Sequence, residues 1–225
     1  MQVCTRHTPS FGVARLMLAA GESAGVESGA MLATSYGLAV DTRPGGGMLA
    51  AARAAFGGEH SSVVTYTASG QSGWVDVAPS LPGDLDVLEL DGQGGWCVSR
   101  QCWLAAASTT RAQAQWSGFR NLFGGEEGFL THVTGQGPLV VCCYGALDVV
   151  TLSPGEFVTI DAGHLVAYAD SVQSRLRQLE QGGAQSLRTG AGLVFDFAGP
   201  GRVLTQTRDP RGLAAWLRHH GSVGR

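Results

Sequence analysis

The chain has 225 residues and 34 glycines, its net charge is −3, and all 15 of its cationic side chains are arginine. This length suits one all-β domain, 1–225, whose core is large enough to fold without a disulfide or a metal. The arginines are scattered singly, which disfavours a phosphate-neutralising face; we expect no nucleic-acid partner, with a local arginine stripe as the alternative.

Five cysteines occur, and two of them are adjacent in an apolar run: Cys4, Cys97, Cys102, Cys142 and Cys143. Neighbouring residues on a strand point to opposite faces, so the adjacent pair cannot easily grip one metal ion. The odd count and the apolar surroundings indicate reduced, largely buried thiols in a reducing compartment, and we expect the cytoplasm.

No apolar run approaches the ~20 residues that a membrane-spanning helix needs. The N-terminus lacks the charged start and apolar core of a secretory signal. Arg6, Arg15 and the absence of acidic residues before Glu22 leave a transit peptide as an alternative. Periodicity from Phe11 onward predicts a first strand instead.

Two landmarks recur along the chain. A Gly-acid turn followed eight residues later by another glycine occurs at Gly21-Glu22 and again at Gly155-Glu156, 134 residues further on. A version one residue longer lies between Gly83 and Gly92. Phe-Gly-Gly-Glu occurs at 56–59 and at 123–126, a spacing of 67 residues, half of 134. Recurrence at a fixed spacing indicates one supersecondary unit used several times.

Three pairs of apolar segments share one order of strand, Gly-rich turn and strand. They lie at 63–67 with 74–77, 129–133 with 139–141, and 193–197 with 203–205. Glycine supplies the positive φ angles that close a twisted antiparallel pair, so this order predicts three β-hairpins.

Together these patterns predict an all-β sandwich built from three pseudo-repeats of about 67 residues, at roughly 11–80, 81–150 and 151–208, arranged around a pseudo-threefold axis. Chance similarity among glycine-rich strands is the alternative. An Ala-rich segment at 48–56 and the segment 111–123 predict short helices. Segment 171–181 fits a helix by its leucine spacing and a strand by its place in the repeat.

The last predicted helix, 209–220, is the clearest. Asp209 can cap it, Pro210 suits its first turn, and Leu213, Trp216 and Leu217 form one apolar stripe. We expect this helix to lie across the sheets and to cover an edge.

Several motifs carry a resemblance to a known family. They are GGEEGFL from Gly124, YGA from Tyr144, DAGHLVA from Asp161, FDFAGPGRVLTQTR from Phe195 and DPRGLAAWL from Asp209. These motifs resemble the family of altered inheritance of mitochondria protein 24, and the similarity extends over nearly the whole chain from Phe11. The absence of lysine and a shorter, Ala-rich first helix are departures that leave the fold intact.

This resemblance implies a β-sandwich of the double-stranded β-helix type, related in fold to the tryptophan RNA-binding attenuation protein (TRAP-like). It also implies a bacterial member without an assigned activity, whereas the eukaryotic member is linked to mitochondrial organisation. The family offers no catalytic residues to carry over.

The histidines and cysteines do not match the common catalytic or metal patterns. No zinc-protease pair and no cupin-like His-x-His with a following Glu is present. Cys97 and Cys102 lack a second pair at metal spacing. No nucleophile elbow or phosphate loop occurs. We therefore expect no enzyme activity, no cofactor and no metal.

The repeat suggests one polar cluster. Aligning the Gly-acid turns brings Glu27, Asp91 and Asp161 to equivalent positions, and aligning the hairpins does the same for a second set, Tyr66, His132 and Asp196. If either set faced one axis, a cation site with perturbed pKa values would form. The alternative is that the acids accept backbone N–H groups at tight turns.

His164 follows a turn glycine where the first copy has Ala30, so it is an addition to a turn that works without it. It is a candidate ligand; a hydrogen-bonded turn histidine is the alternative.

The sequence predicts a non-enzymatic interaction or scaffold protein that self-associates through its sheets as a symmetric homo-oligomer, for which we expect a trimer. A small-ligand or nucleic-acid binding protein is the alternative by fold analogy, and a cupin-like metal-dependent enzyme is a further one.

Overall fold

The protein is built almost entirely from antiparallel strands, which confirms the predicted all-β sandwich class. The structure is a computed structural model that describes residues 1–42, 63–115, 130–178 and 193–221. The predicted helix at 48–56 and both Phe-Gly-Gly-Glu landmarks lie outside the described residues. The strands fall into three successive groups, which we call the first, second and third units.

A leading strand, β1 Gln2–Arg6, precedes the first unit. The unit itself contains six strands: β2 Val13–Leu18, β3 Ser23–Glu27, β4 Met31–Thr34, β5 Ala39–Asp41, β6 Val63–Thr67 and β7 Gly73–Val77. Periodicity predicted a first strand from Phe11, which corresponds to β2. The leading strand β1 was not predicted; it pairs with β2 at the edge of the sheet.

The second and third units continue the chain. The second contains β8 Leu85–Asp91, β9 Trp96–Ser99, β10 Trp103–Ala107, β11 Thr110–Gln115 and the long β12 Leu130–Cys142. The third contains β13 Leu147–Leu152, β14 Phe157–Asp161, β15 Leu165–Ala169, β16 Gln173–Gln178, β17 Leu193–Ala198 and β18 Gly201–Gln206.

One pairing scheme occurs three times. In each unit the first and third strands flank the last strand, so β2 and β4 pair with β7, and β13 and β15 pair with β18. The second and fourth strands flank the penultimate strand, so β3 and β5 pair with β6, and β14 and β16 pair with β17. In the second unit both roles fall to β12, whose first half pairs with β9 and β11 and whose second half pairs with β8 and β10.

The three predicted hairpins are therefore wrong, although their strands exist. β6 and β7 belong to different sheets, and so do β17 and β18. The middle pair is one continuous strand that bends at Gly135 and Gly137, whose φ angles are 109° and 107°. The Gly-rich segments carry the chain from one layer of a sandwich to the other, a task that needs the same conformational freedom as a hairpin turn.

Each unit is a two-layered sandwich with its own apolar cluster. In the first-unit cluster, Leu16 and Val75 from one layer pack against Val26 and Tyr66 from the other. The second-unit cluster includes Leu139 and Val98, and the third-unit cluster includes Val203 with the stacked rings of Phe195 and Phe197. Burial of these side chains from water is the main force holding the layers together.

Neighbouring units are joined by strand pairing. The third strand of the second unit, β10, pairs with β3 of the first through Ala105↔Val26 and Ala106↔Gly25. In the same way β15 of the third unit pairs with β9 of the second through Ala167↔Val98 and Tyr168↔Cys97. These two junctions merge the layers of adjacent units into continuous sheets.

The C-terminal helix α1, Pro210–His220, is confirmed, with the Asp209 side chain accepting hydrogen bonds from the backbone N–H groups of Arg211 and Gly212. Its predicted position across the sheets is wrong. No residue of α1 is buried, and Trp216 is 57% exposed. Trp216 stacks on His220 of the same helix, so the last turn of α1 covers part of the helix's apolar stripe. No helix among the described residues is long and apolar enough to cross a membrane.

Both remaining segments for which a helix was considered contain strands. Residues 111–115 of the predicted helix 111–123 belong to β11, which pairs along its whole length with β12. The ambiguous segment 171–181 contains β16, Gln173–Gln178, as its place in the repeat indicated. Pairing with a neighbouring strand overrode the local helix propensity in both places.

A buried ion-pair cluster stabilises the first unit. Asp76 on β7 is 2% exposed and accepts two hydrogen bonds from each of two guanidinium groups, Arg6 on β1 and Arg15 on β2, at 2.7 to 3.1 Å. Arg15 also lies over the ring of Trp74, 3.9 Å from its centroid. The cluster ties the leading strand β1 to β2, which pairs with it, and to β7 on the far side of β2.

Replacing Asp76 with asparagine is expected to lower the free energy of unfolding by about 2 kcal/mol at neutral pH, because both guanidinium groups lose their anionic partner. Breaking a fully buried pair costs about 3–5 kcal/mol, but solvent screens these partly exposed arginines. The arginines hold the pKa of Asp76 well below its usual range, so this stabilisation is present above about pH 4 and is lost as the pH falls further. Urea denaturation at neutral and acidic pH measures both effects.

The exposed Asp148→Asn on β13 serves as the control and should change stability little at either pH. An Asp76→Asn protein as stable as the parent at neutral pH would contradict the assigned role of the cluster. A stability difference that did not narrow at acidic pH would contradict it as well.

Candidate functional site

The first predicted acidic set is only partly equivalent in the structure. Glu27 ends β3 and Asp161 ends β14, which are the second strands of their units, whereas Asp91 ends β8, a first strand. The strand pairings show that Ser99, at the end of β9, is the second-unit residue equivalent to Glu27 and Asp161. At each of these three positions the chain leaves the second strand of its unit and turns towards the third.

The misplacement of Asp91 has a clear cause. The turn glycines Gly21, Gly92 and Gly155 have φ angles of 85°, 84° and 83° and follow the first strand of each unit. The sequence alignment used Gly83 for the middle copy, but Gly83 precedes β8. Its backbone packs against Cys143, so that an added Cβ would lie 1.9 Å from the Cys143 carbonyl oxygen.

Two of the three acids cap turns, as the alternative interpretation held. Asp91 Oδ1 accepts the backbone N–H of Gln93 at 2.9 Å, and Asp161 Oδ1 accepts that of Gly163 at 2.8 Å. Ser99 Oγ, at the equivalent corner, donates to the carbonyl oxygen of Leu165 at 2.6 Å. Asp91 and Asp161 therefore fix their own turns, whereas Ser99 holds the start of β15 in the next unit.

Glu27 differs from the other two acids. Its side chain is partly buried, and burial raises its pKa to about 7. Burial raises the pKa of the Cys102 and Cys142 thiols, and the negative charge of Glu27 adds to both shifts. Glu27 can therefore exchange a proton near neutral pH in largely apolar surroundings.

The second predicted set is displaced by one residue at its first member. Thr65, His132 and Asp196 are the equivalent residues, because each lies opposite the same position of the paired second strand: Gly25, Cys97 and Thr159. Tyr66 instead points into the first-unit cluster and is buried. A shift of one residue along a strand moves a side chain to the other face.

The polar members of this set have separate partners. His132 Nε2 lies 2.8 and 2.9 Å from the two carboxylate oxygens of Asp170. Asp196 accepts hydrogen bonds from Thr159 Oγ1 at 2.7 Å and from Arg177 Nε at 2.5 Å. Arg177 holds the pKa of Asp196 below its usual range. His132 contacts a residue of the turn that follows β15, and Asp196 contacts a residue of the paired strand β16, so each of the two side chains has its own partner.

His164 is a hydrogen-bonded turn histidine. Its Nδ1 lies 2.7 Å from the backbone carbonyl oxygen of Gln206. The buried Gln206 side chain accepts the N–H of Tyr144 at 2.9 Å and donates to the carbonyl oxygen of Gly163 at 2.9 Å. Gln206 was not predicted, although a lone amide at the end of an apolar strand was a usable signal.

Four of the five cysteines are buried and all five are free thiols; Cys4 is exposed. Cys142 contributes to the first-unit cluster and Cys143 to the second-unit cluster, so the adjacent pair points to opposite faces as predicted. Burial raises the pKa of Cys97 and Cys143 to about 11. Within the described ranges no group of three or more His, Cys, Asp or Glu side chains could hold a metal ion.

Replacing Glu27 with glutamine is expected to stabilise the protein by about 2 kcal/mol near pH 8 and to leave stability nearly unchanged near pH 4. The folded pKa is raised above the unfolded value of about 4.3, so the parent protein loses stability as the pH rises from that value to about 7, because its carboxylate must ionise while partly buried. Chemical denaturation at the two pH values measures the difference.

Glu89→Gln, at an exposed position of β8, is the matched control and should show no such pH-dependent gain. A Glu27→Gln protein that is not stabilised at the higher pH would show that the carboxylate is solvated or paired.

Comparisons with known proteins give one family and two similar proteins. The model of the mitochondrial biogenesis family AIM24 matches residues 4–208. An uncharacterised protein of Streptococcus pyogenes serotype M6 is 28% identical over 219 residues, which cover 93% of this chain and 87% of that protein. The crystal structure of protein SPYM3_0169 from Streptococcus pyogenes has the same fold, with a TM-score of 0.77, 24% identity, and coverage of 97% of this chain and 99% of that one. The chain therefore belongs to the AIM24 family.

Proposed function

We propose that this chain is a non-enzymatic interaction protein that self-associates through its sheets. The observation that carries the proposal is the exposed apolar surface on two strands, β4 and β14. Leu32 on β4 is 59% exposed, Met31 beside it is 44% exposed, and Phe157 on β14 is 77% exposed. Exposed apolar side chains on strands favour association with another protein surface.

The polar candidates support contact over chemistry. Asp91 and Asp161 cap turns, His132 contacts the carboxylate of Asp170, and Asp196 is paired with Arg177. A nucleophile or general base needs a partner oriented towards a reacting group, and these side chains are instead bonded within the fold.

The arginines support a protein partner over a nucleic acid. Arg6 and Arg15 are paired with Asp76, and Arg177 is paired with Asp196. A guanidinium group already bonded to a carboxylate contributes little to neutralising phosphates, which supply most of the affinity for nucleic acids.

Self-association is tested by measuring the mass in solution over a wide range of protein concentrations. We expect sedimentation velocity and light scattering to give a symmetric assembly, with three copies of the 23.3 kDa chain as the expected number. The assembled fraction should rise with concentration, because association follows mass action.

Size-exclusion chromatography at physiological and high salt provides the control, since association through apolar surface should survive added salt. A monodisperse 23.3 kDa species at the highest concentration would overturn the proposal.

A further inference from the structure

The two junctions inside the chain define how one unit receives the next. In each, the third strand of the later unit pairs antiparallel with the second strand of the earlier unit: β10 with β3, and β15 with β9. The register is the same, since Ala105↔Val26 in the first junction corresponds to Ala167↔Val98 in the second.

A β-bulge accompanies both junctions. The third strand bulges between Trp103 and Ala105 in the second unit and between Leu165 and Ala167 in the third. The extra residue enters the apolar cluster of the preceding unit, so Leu104 packs in the first-unit cluster and Val166 in the second-unit cluster. Both are fully buried.

One third strand and one second strand have no such counterpart. β4 of the first unit pairs with β7, and β14 of the third unit pairs with β17; among the described strands neither has a partner on its other edge. β4 bulges between Met31 and Ala33, as its two equivalents do. Its bulge residue Leu32 is exposed where Leu104 and Val166 are buried.

We propose that copies of this chain join head to tail, with β4 of one copy pairing antiparallel with β14 of the next. This inference rests on the proposed self-association and names its surface. The internal junctions dictate the register: Ala33 opposite Ile160, Thr34 opposite Thr159, and Ser35 opposite Val158. Leu32 then enters the third-unit cluster of the neighbouring copy.

A second copy fits this surface because the two edges are complementary in shape. Among the described strands, β4 is a bulged third strand without a second strand on its outer edge, and β14 is a second strand without a third strand on its outer edge.

One position departs from the internal template. By strand register Asp76 corresponds to Val140 and Leu204, both fully buried at the internal junctions. A paired carboxylate contributes less to such a contact than an aliphatic side chain. The junction between copies is therefore weaker than the internal ones and depends on concentration. Pairing two different edges is a heterologous contact, which closes into a ring or continues as a filament.

Cross-linking between two variants tests the pairing. Thr34→Cys and Thr159→Cys lie on exposed positions that the register places opposite each other, and each is made with Cys4→Ser to remove the exposed native thiol. The two variants carry different affinity tags and are mixed before a short thiol-to-thiol cross-linker is added. We expect a mixed-tag dimer as the main product.

The matched control replaces Thr159→Cys with Thr151→Cys, at an exposed position on β13, and should give no mixed dimer with Thr34→Cys. Equal cross-linking of both pairs would overturn the register. A double variant carries Thr34→Cys and Thr159→Cys in one chain and distinguishes pairing between copies from pairing within one chain. Cross-linked protein of monomer mass only would show that β14 of the same chain pairs with β4.

A charge on the exposed edge provides a second test. Leu32→Asp should reduce the assembly to 23.3 kDa in sedimentation velocity with an unchanged circular dichroism spectrum, because Leu32 is exposed in the single chain. Val40→Asp, at a 54% exposed position of β5, should leave the assembly intact. If Leu32→Asp stays assembled, the β4 edge is overturned while self-association stands; if the parent protein is itself a monomer, both fall.

Discussion

The antiparallel ladder between the second strand of one unit and the third strand of the next is the contact on which the rest of the structure depends. It turns three sandwiches into stacked layers, so that β10 and most of β15 are buried on both faces. Alanine is frequent on these strands because both faces meet a packed cluster and leave little space: Ala105, Ala106, Ala107, Ala167 and Ala169. Small side chains let the layers approach closely without voids.

Much of this architecture could be predicted from turn chemistry. The Gly-Glu turn is written in the same way at both ends of the chain. Glu22 accepts the N–H of Ala19 at 2.8 Å, and Glu156 accepts that of Ser153 at 2.6 Å. The glycine before each glutamate has a positive φ angle, which other residues rarely adopt. Such turns are local, so the sequence was sufficient to place them.

The sequence did not show which strands pair with each other or which distant side chains make contact. A Gly-rich segment permits either a hairpin or a crossing between layers, and only long-range pairing decides between them. The same uncertainty moved Tyr66 one residue from its true equivalent, Thr65, and placed it on the wrong face. His132 pairs with Asp170, 38 residues away, and no local pattern announces that contact. The buried Asp76 was missed because a single acid in an apolar strand has meaning only beside Arg6 and Arg15.

The length of β12 has a consequence for how the molecule loosens. A single run of 13 residues supplies strands to two different layers, and neither layer can separate without disturbing the other. The middle of the chain is thereby insulated from local opening, while the outer unit at each end is held to it by one ladder. Fraying should start at the two ends and reach the centre only when the whole protein melts.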